Sequence, residues 1–183
     1  MGTMYFSIFG SLSPMTKPRF RIIPECHADT ALARFFVPNV KQEDHANGSS
    51  NVASEMKRAG FSEVILIGLI DNDKLKHTPR YFDDFIEIER GQCVSFRQKE
   101  DVRVEHYLIV LERAIETFLL YNAAQVGINV ADFGFSEVQK EFQKNLKSQQ
   151  IEDSENYQSL LKALRDQQAP DFIKIEAFLN QFL

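Results

Sequence analysis

Two stretches of this chain hold acidic side chains at spacings that could do chemistry. Glu25 follows the β-rich run Phe20–Pro24, with Asp29 four positions later, and Asp71-Asn72-Asp73 directly follows VILIGLI, the most apolar stretch. In extended backbone, residues i and i+2 project from one face, so Asp71 and Asp73 converge on one point. If the strand before Glu25 neighbours the strand before Asp71, three carboxylates meet. Crowded anions repel unless a cation lies between them, and hard oxygen donors suit Mg2+ or Mn2+. Without that adjacency, Asp71-Asn72-Asp73 is a polar turn and Glu25 a surface residue.

Other reactive side chains give weaker patterns. His27 lies two residues beyond Glu25, as a helper at the site or a partly exposed loop histidine. The basic run Lys74, Lys76, His77 and Arg80 follows the acidic turn. It could clamp a phosphate beside a metal, or be a solvated loop. No H-x-x-x-H or Cys/His spacing joins His27, His45, His77 and His106, which argues against a zinc site. Cys26 has no evident paired base for nucleophilic work. There is no Gly-rich phosphate loop and no G-x-S-x-G.

The elements that must position these residues follow from periodicity. Phe20–Pro24 reads as a short strand, ADTALARFFV as a helix with Asp29 in its first turn, and SSNVASEMKRAG as a helix stopped by Gly60. Glu63–Ile70 reads as a central strand buried on both faces, and a strand-to-strand crossover through helices implies parallel pairing. The acidic pairs then lie at the carboxyl ends of the strands, where open α/β sheets bind ligands. Thr78–Phe85 reads as a short helix with Pro79 at its first position. Phe85–Glu89, Cys93–Phe96 and Val102–Leu111 read as strands, and Arg113–Gly127 as a helix. Helical segments Ser136–Ser148, Asn156–Gln168 and Asp171–Leu183 follow.

The expected organisation is residues 1–14 as an extension or an edge strand at Tyr5–Phe9, 15–130 as an α/β domain, and 131–183 as a helical segment packed on it. The net charge of −5 gives no general attraction to a polyanion, so a nucleic-acid contact needs a local basic surface. No apolar run approaches the roughly 20 residues that span a bilayer, so no membrane partner is expected. Residues 1–14 do not read as a signal peptide. Cys26 and Cys93 read as free thiols in a reducing cytoplasm.

Strand–Glu25-x-x-x-Asp29–helix followed by strand–Asp71-Asn72-Asp73 resembles the Toprim domain of bacterial primases, topoisomerases and OLD-type nucleases. The resemblance covers roughly Arg19 to Gly127. It implies a Rossmann-like, mainly parallel sheet flanked by helices, with a helical C-terminal extension. It also implies Glu25 as general acid or base, or as a ligand, Asp71 and Asp73 as Mg2+ ligands, and Asp29 as a helper. HYLIVLERAIETFLL is similar to a segment of small bacterial Toprim-like proteins, which places Glu116 at the metal with Glu112 as its competitor. Two departures stand out: Cys26 occupies the position usually held by Gly, and Pro24 precedes the motif Glu. The implied function is Mg2+-dependent phosphoryl transfer, or nuclease-like cleavage of nucleic acid or another phosphate-containing substrate. The alternative is a non-catalytic Toprim-like scaffold acting with a partner subunit, and the sequence leaves a homodimer and a heterologous partner equally open. Nucleotide-sugar transfer through D-x-D and Mn2+ has no supporting signature.

Overall fold

The computed structural model describes residues 19–40, 45–59, 64–72, 78–99 and 104–183. The expected Tyr5–Phe9 strand, and with it the division at residues 1–14, lies outside them, as do Asp73, Lys74, Lys76 and His77. The chain forms a mixed α/β architecture. A five-stranded sheet has helices on both faces and a helical C-terminal extension.

The strands are β1 (Phe20–Pro24), β2 (Ile65–Asn72), β3 (Phe85–Arg90), β4 (Val94–Lys99) and β5 (His106–Glu112), in spatial order β1-β2-β5-β4-β3. β2 is an interior strand whose first six residues are all buried, and it pairs in parallel with β1 and with β5, the middle strand. The expectation of a mainly parallel sheet is corrected here: β4 runs antiparallel to β5, and β3 antiparallel to β4. The short connections 91–93 between β3 and β4 and 100–105 between β4 and β5 account for this, since parallel strands need a crossover of about a dozen residues or more.

Helices α1 (His27–Phe36) and α2 (Ser49–Ala59) lie between β1 and β2 in the chain and cover opposite faces of the sheet. Ile67 and Leu69 of β2 pack in the core with α1, whereas Leu66 and Ile70 pack with α2. Gly68 lets α2 come close, because a Cβ there would lie 2.7 Å from Leu108 Cδ2 and 3.0 Å from Met56 Sδ.

The chain continues through α3 (Ile115–Gln125), α4 (Gln139–Leu146), α5 (Glu155–Asp166) and α6 (Pro170–Leu179). Leu160, Leu161, Leu164, Phe172 and Phe178 share one core with the α1 face of the sheet. Polar contacts fix the last helix. Asn122 of α3 accepts from the Asp171 and Phe172 amides (3.0 and 3.1 Å), and Asp171 accepts from the Gln92 and Cys93 amides of the β3–β4 turn.

Smaller corrections concern element ends. β2 runs to Asn72, so Asp71 belongs to the strand and not to a turn. Residues Arg80–Asp84 form a 3-10 turn preceded by Pro79, in place of a helix from Thr78. The expected Ser136–Ser148 helix shortens to α4, and 3-10 turns appear at Val130–Phe133 and Gln149–Asp153.

Candidate metal centre

β1 and β2 are neighbours, and their carboxyl ends bring Glu25 to Asp71. The Glu25 amide donates to the Leu69 carbonyl (2.9 Å), which continues the parallel ladder one residue past Pro24. The next rung would join the Asp71 amide to the Glu25 carbonyl. That carbonyl instead accepts from Gly48 N (3.0 Å), and the Glu25 side chain takes the rung, with Oε2 accepting from Asp71 N at 3.1 Å. Glu25 is thus a buried carboxylate laid across the end of β2. Part of its role is structural, because it satisfies an edge amide.

Asp29 is the third carboxylate and is fully buried. It is the third residue of α1, and its Oδ2 accepts from the amide of Cys26, which caps the helix (3.1 Å). A carboxylate in this position also answers the partial positive charge of the helix N-terminus. Two protic groups, partly buried Cys26 and buried Tyr157, feel Asp29 and Asp71 together. Burial first, then Asp29 and Asp71, pushes the Cys26 thiol up. Burial, followed by Asp29, Cys26 and Asp71, does the same to the Tyr157 hydroxyl. Tyr157 donates to the Ala28 carbonyl (3.3 Å) and closes the cluster from α5. A thiol held protonated is no nucleophile, and Cys26 and Cys93 are both free.

The other acidic candidates have separate partners. Glu116 is buried in the first turn of α3, where its carboxylate accepts from Gln143 Nε2 of α4 (3.0 Å). Glu112 sits opposite Asn72 and accepts from Asn72 Nδ2 (2.8 Å) and Ser95 Oγ (3.1 Å), with Arg90 Nη1 at 3.2 Å. Arg97 lies beside it, with Nη2 4.0 Å from Glu112 Oε1; its buried Nε has no hydrogen-bond partner among the described residues. A cavity lined by Ser49, Asn72, Thr78 and Arg97 opens beside Asp71.

A second cluster joins the first at α1. His27, His45 and Glu152 present nitrogen and oxygen atoms that all lie within 4.8 Å of one another, an arrangement able to coordinate a metal ion. His27 Nδ1 is 2.5 Å from Glu152 Oε1, and the two imidazoles meet edge to face with 4.2 Å between centroids. Arg34 holds the other oxygen of buried Glu152 at 2.9 Å. No family model matches this chain, nor does any curated protein or solved structure. The Toprim resemblance therefore rests on its motif residues alone.

Of the residues expected at the site, Glu25 lies on the Asp71 amide, Asp29 caps α1 on the Cys26 amide, and His27 belongs to the second cluster. Glu116 makes its contact with α4. Histidine spacing gave no sign of His45 or Glu152, because the three donors come from α1, a loop and a turn, with His27 and Glu152 separated by 125 residues.

Proposed function

We propose that this chain carries out divalent-metal-dependent phosphoryl chemistry, with cleavage of a phosphodiester as its simplest form. One observation carries the reading: the Glu25 carboxylate lies across the end of β2 on the Asp71 amide, while Asp29 and Asp71 both bear on Cys26. An all-carboxylate donor set fits Mg2+ or Mn2+, which prefer hard oxygen ligands. Asp71 would hold the ion, with Asp73, two positions on in the sequence, as its companion and Glu116 as a more remote candidate. When bound, such an ion polarises a phosphoryl oxygen and stabilises the leaving oxygen.

The chain's own groups supply the rest. Glu25 holds or takes a proton, fixed in place by the rung it makes. Arg97 offers a buried N–H from the wall of the cavity beside Asp71, and an anionic phosphate fits that donor. Lys74 and Lys76 would add positive charge from the segment that follows.

The test is cleavage of single- and double-stranded DNA and RNA with Mg2+ or Mn2+. Metal-dependent cleavage that disappears in Glu25→Gln and Asp71→Asn supports the reading. Metal binding without cleavage on any of these substrates would favour a non-catalytic scaffold that acts with a partner.

A further inference from the structure

We propose that His27, His45 and Glu152 form a second, separate cation site of the zinc class, distinct from the carboxylate edge. Two imidazoles and one carboxylate are the donor set of three-ligand zinc centres that keep a fourth position for water or substrate. Nitrogen donors favour Zn2+, Co2+ or Ni2+ over Mg2+, so the two sites would select different ions.

Three features hold the donors as ligands. Glu152 is almost fully enclosed (1% of its side chain exposed), and Arg34 occupies its Oε2, leaving Oε1 toward His27. The His45 ring lies against the Glu25 backbone. Its segment is tied down by Ala46 N on the Pro24 carbonyl and Gly48 N on the Glu25 carbonyl, both at 3.0 Å. Such outer contacts orient a ligand and choose which nitrogen is left for the metal. His27 is 26% exposed at its side chain, so the cluster opens to solvent on the histidine side.

The geometry needs an adjustment at the His27–Glu152 pair. Ligands about 2.0–2.2 Å from a tetrahedral ion lie about 3.3 Å apart. His27 and Glu152, now 2.5 Å apart, must therefore separate by a little under ~1 Å. The partly exposed His27 ring can make that movement. The cation takes the place of the hydrogen between Nδ1 and Oε1, and neutral His27 carries its ring proton on Nε2.

The test uses the full chain dialysed against Zn2+ in excess Mg2+, followed by metal analysis and the visible spectrum of the Co2+ form. The expected result is stoichiometric Zn2+, no thiolate-to-cobalt band, and unchanged retention in Asp71→Asn. Arg34→Gln should weaken binding by about 10–100-fold, and His45→Ala by more, with far-ultraviolet circular dichroism unchanged. Three results would overturn the proposal: no Zn2+ retained by the wild type, equal retention by folded His45→Ala, or loss of Zn2+ in Asp71→Asn. No cleavage is measured, so failure here leaves the phosphoryl reading standing.

Discussion

The two clusters that meet at the start of α1 are built in opposite ways. The first sets Glu25, Asp29 and Asp71 against the sheet, all oxygen donors, with its rungs and caps supplied by backbone amides. The second sets His27, His45 and Glu152 between α1, a loop and the turn Gln149–Asp153, two nitrogens and an oxygen, held by the Arg34 guanidinium. One concentrates negative charge, and the other balances it. This teaches that removing a single group has different consequences in the two places. In the carboxylate cluster it relieves repulsion, whereas in the histidine cluster it strands a partner.

The largest test of this contrast is kinetic. Glu25→Gln should lower metal-dependent cleavage by about 10²–10⁴-fold, the usual contribution of a positioned proton-transfer group. Single-turnover assays would check this. Zn2+ retention should not change, and a parallel loss of both would merge the two clusters into one site.

Stability gives the next largest effect. Glu152→Ala leaves Arg34 and His27 without their shared carboxylate. Breaking a buried pair costs about 3–5 kcal/mol, but these partners are 22% and 26% exposed, so the expected loss is about 2–3 kcal/mol. Asp71→Asn, without metal, should change stability by less than about 1 kcal/mol, because lost repulsion offsets lost contacts. Urea unfolding measures both, and an equal cost would erase the distinction.

The smallest effect is a pH slope. Burial, then the neighbouring His27, lowers the proton affinity of His45 against the opposing pull of Glu152. Burial followed by Lys99 does the same to His106. A histidine whose folded pKa is depressed binds fewer protons folded than unfolded, so stability rises with pH through this range. Its stabilising contribution is fully present above the unfolded value of about 6.5 and is lost as pH falls toward the folded one. The urea midpoint should therefore drop between neutral and mildly acidic pH. His45→Asn should flatten that drop in part, with His106 supplying the remainder. An unchanged slope would mean that His45 is as exposed folded as unfolded.

Much of the carboxylate cluster was legible because local rules build it. VILIGLI could be only a buried strand, a helical crossover from β1 made the pair parallel, and strand ends place Glu25 and Asp71 side by side. The rung that Glu25 makes was not legible, since it depends on the Glu25 carbonyl turning away to Gly48. Antiparallel β3 and β4 were missed although the Gly91 turn announced a hairpin, because the first crossover was extended to the whole sheet. The second cluster lay beyond reach. Glu152 falls between two expected helical segments in the sequence, and only the packing of the turn Gln149–Asp153 on α1 brings it to His27 and Arg34. Among the described residues no helix is long and apolar enough to cross a membrane, in line with the absence of a long apolar run.

The central claim is that the ends of β1 and β2 bind a hard divalent cation through Asp71. Thermal unfolding against rising Mg2+ tests it most directly, because an ion that binds only the folded chain raises the midpoint in a saturable way. The account predicts such a rise for the wild type and for His45→Ala, and none for Asp71→Asn. A wild type indifferent to Mg2+, or an equal rise in Asp71→Asn, would contradict it.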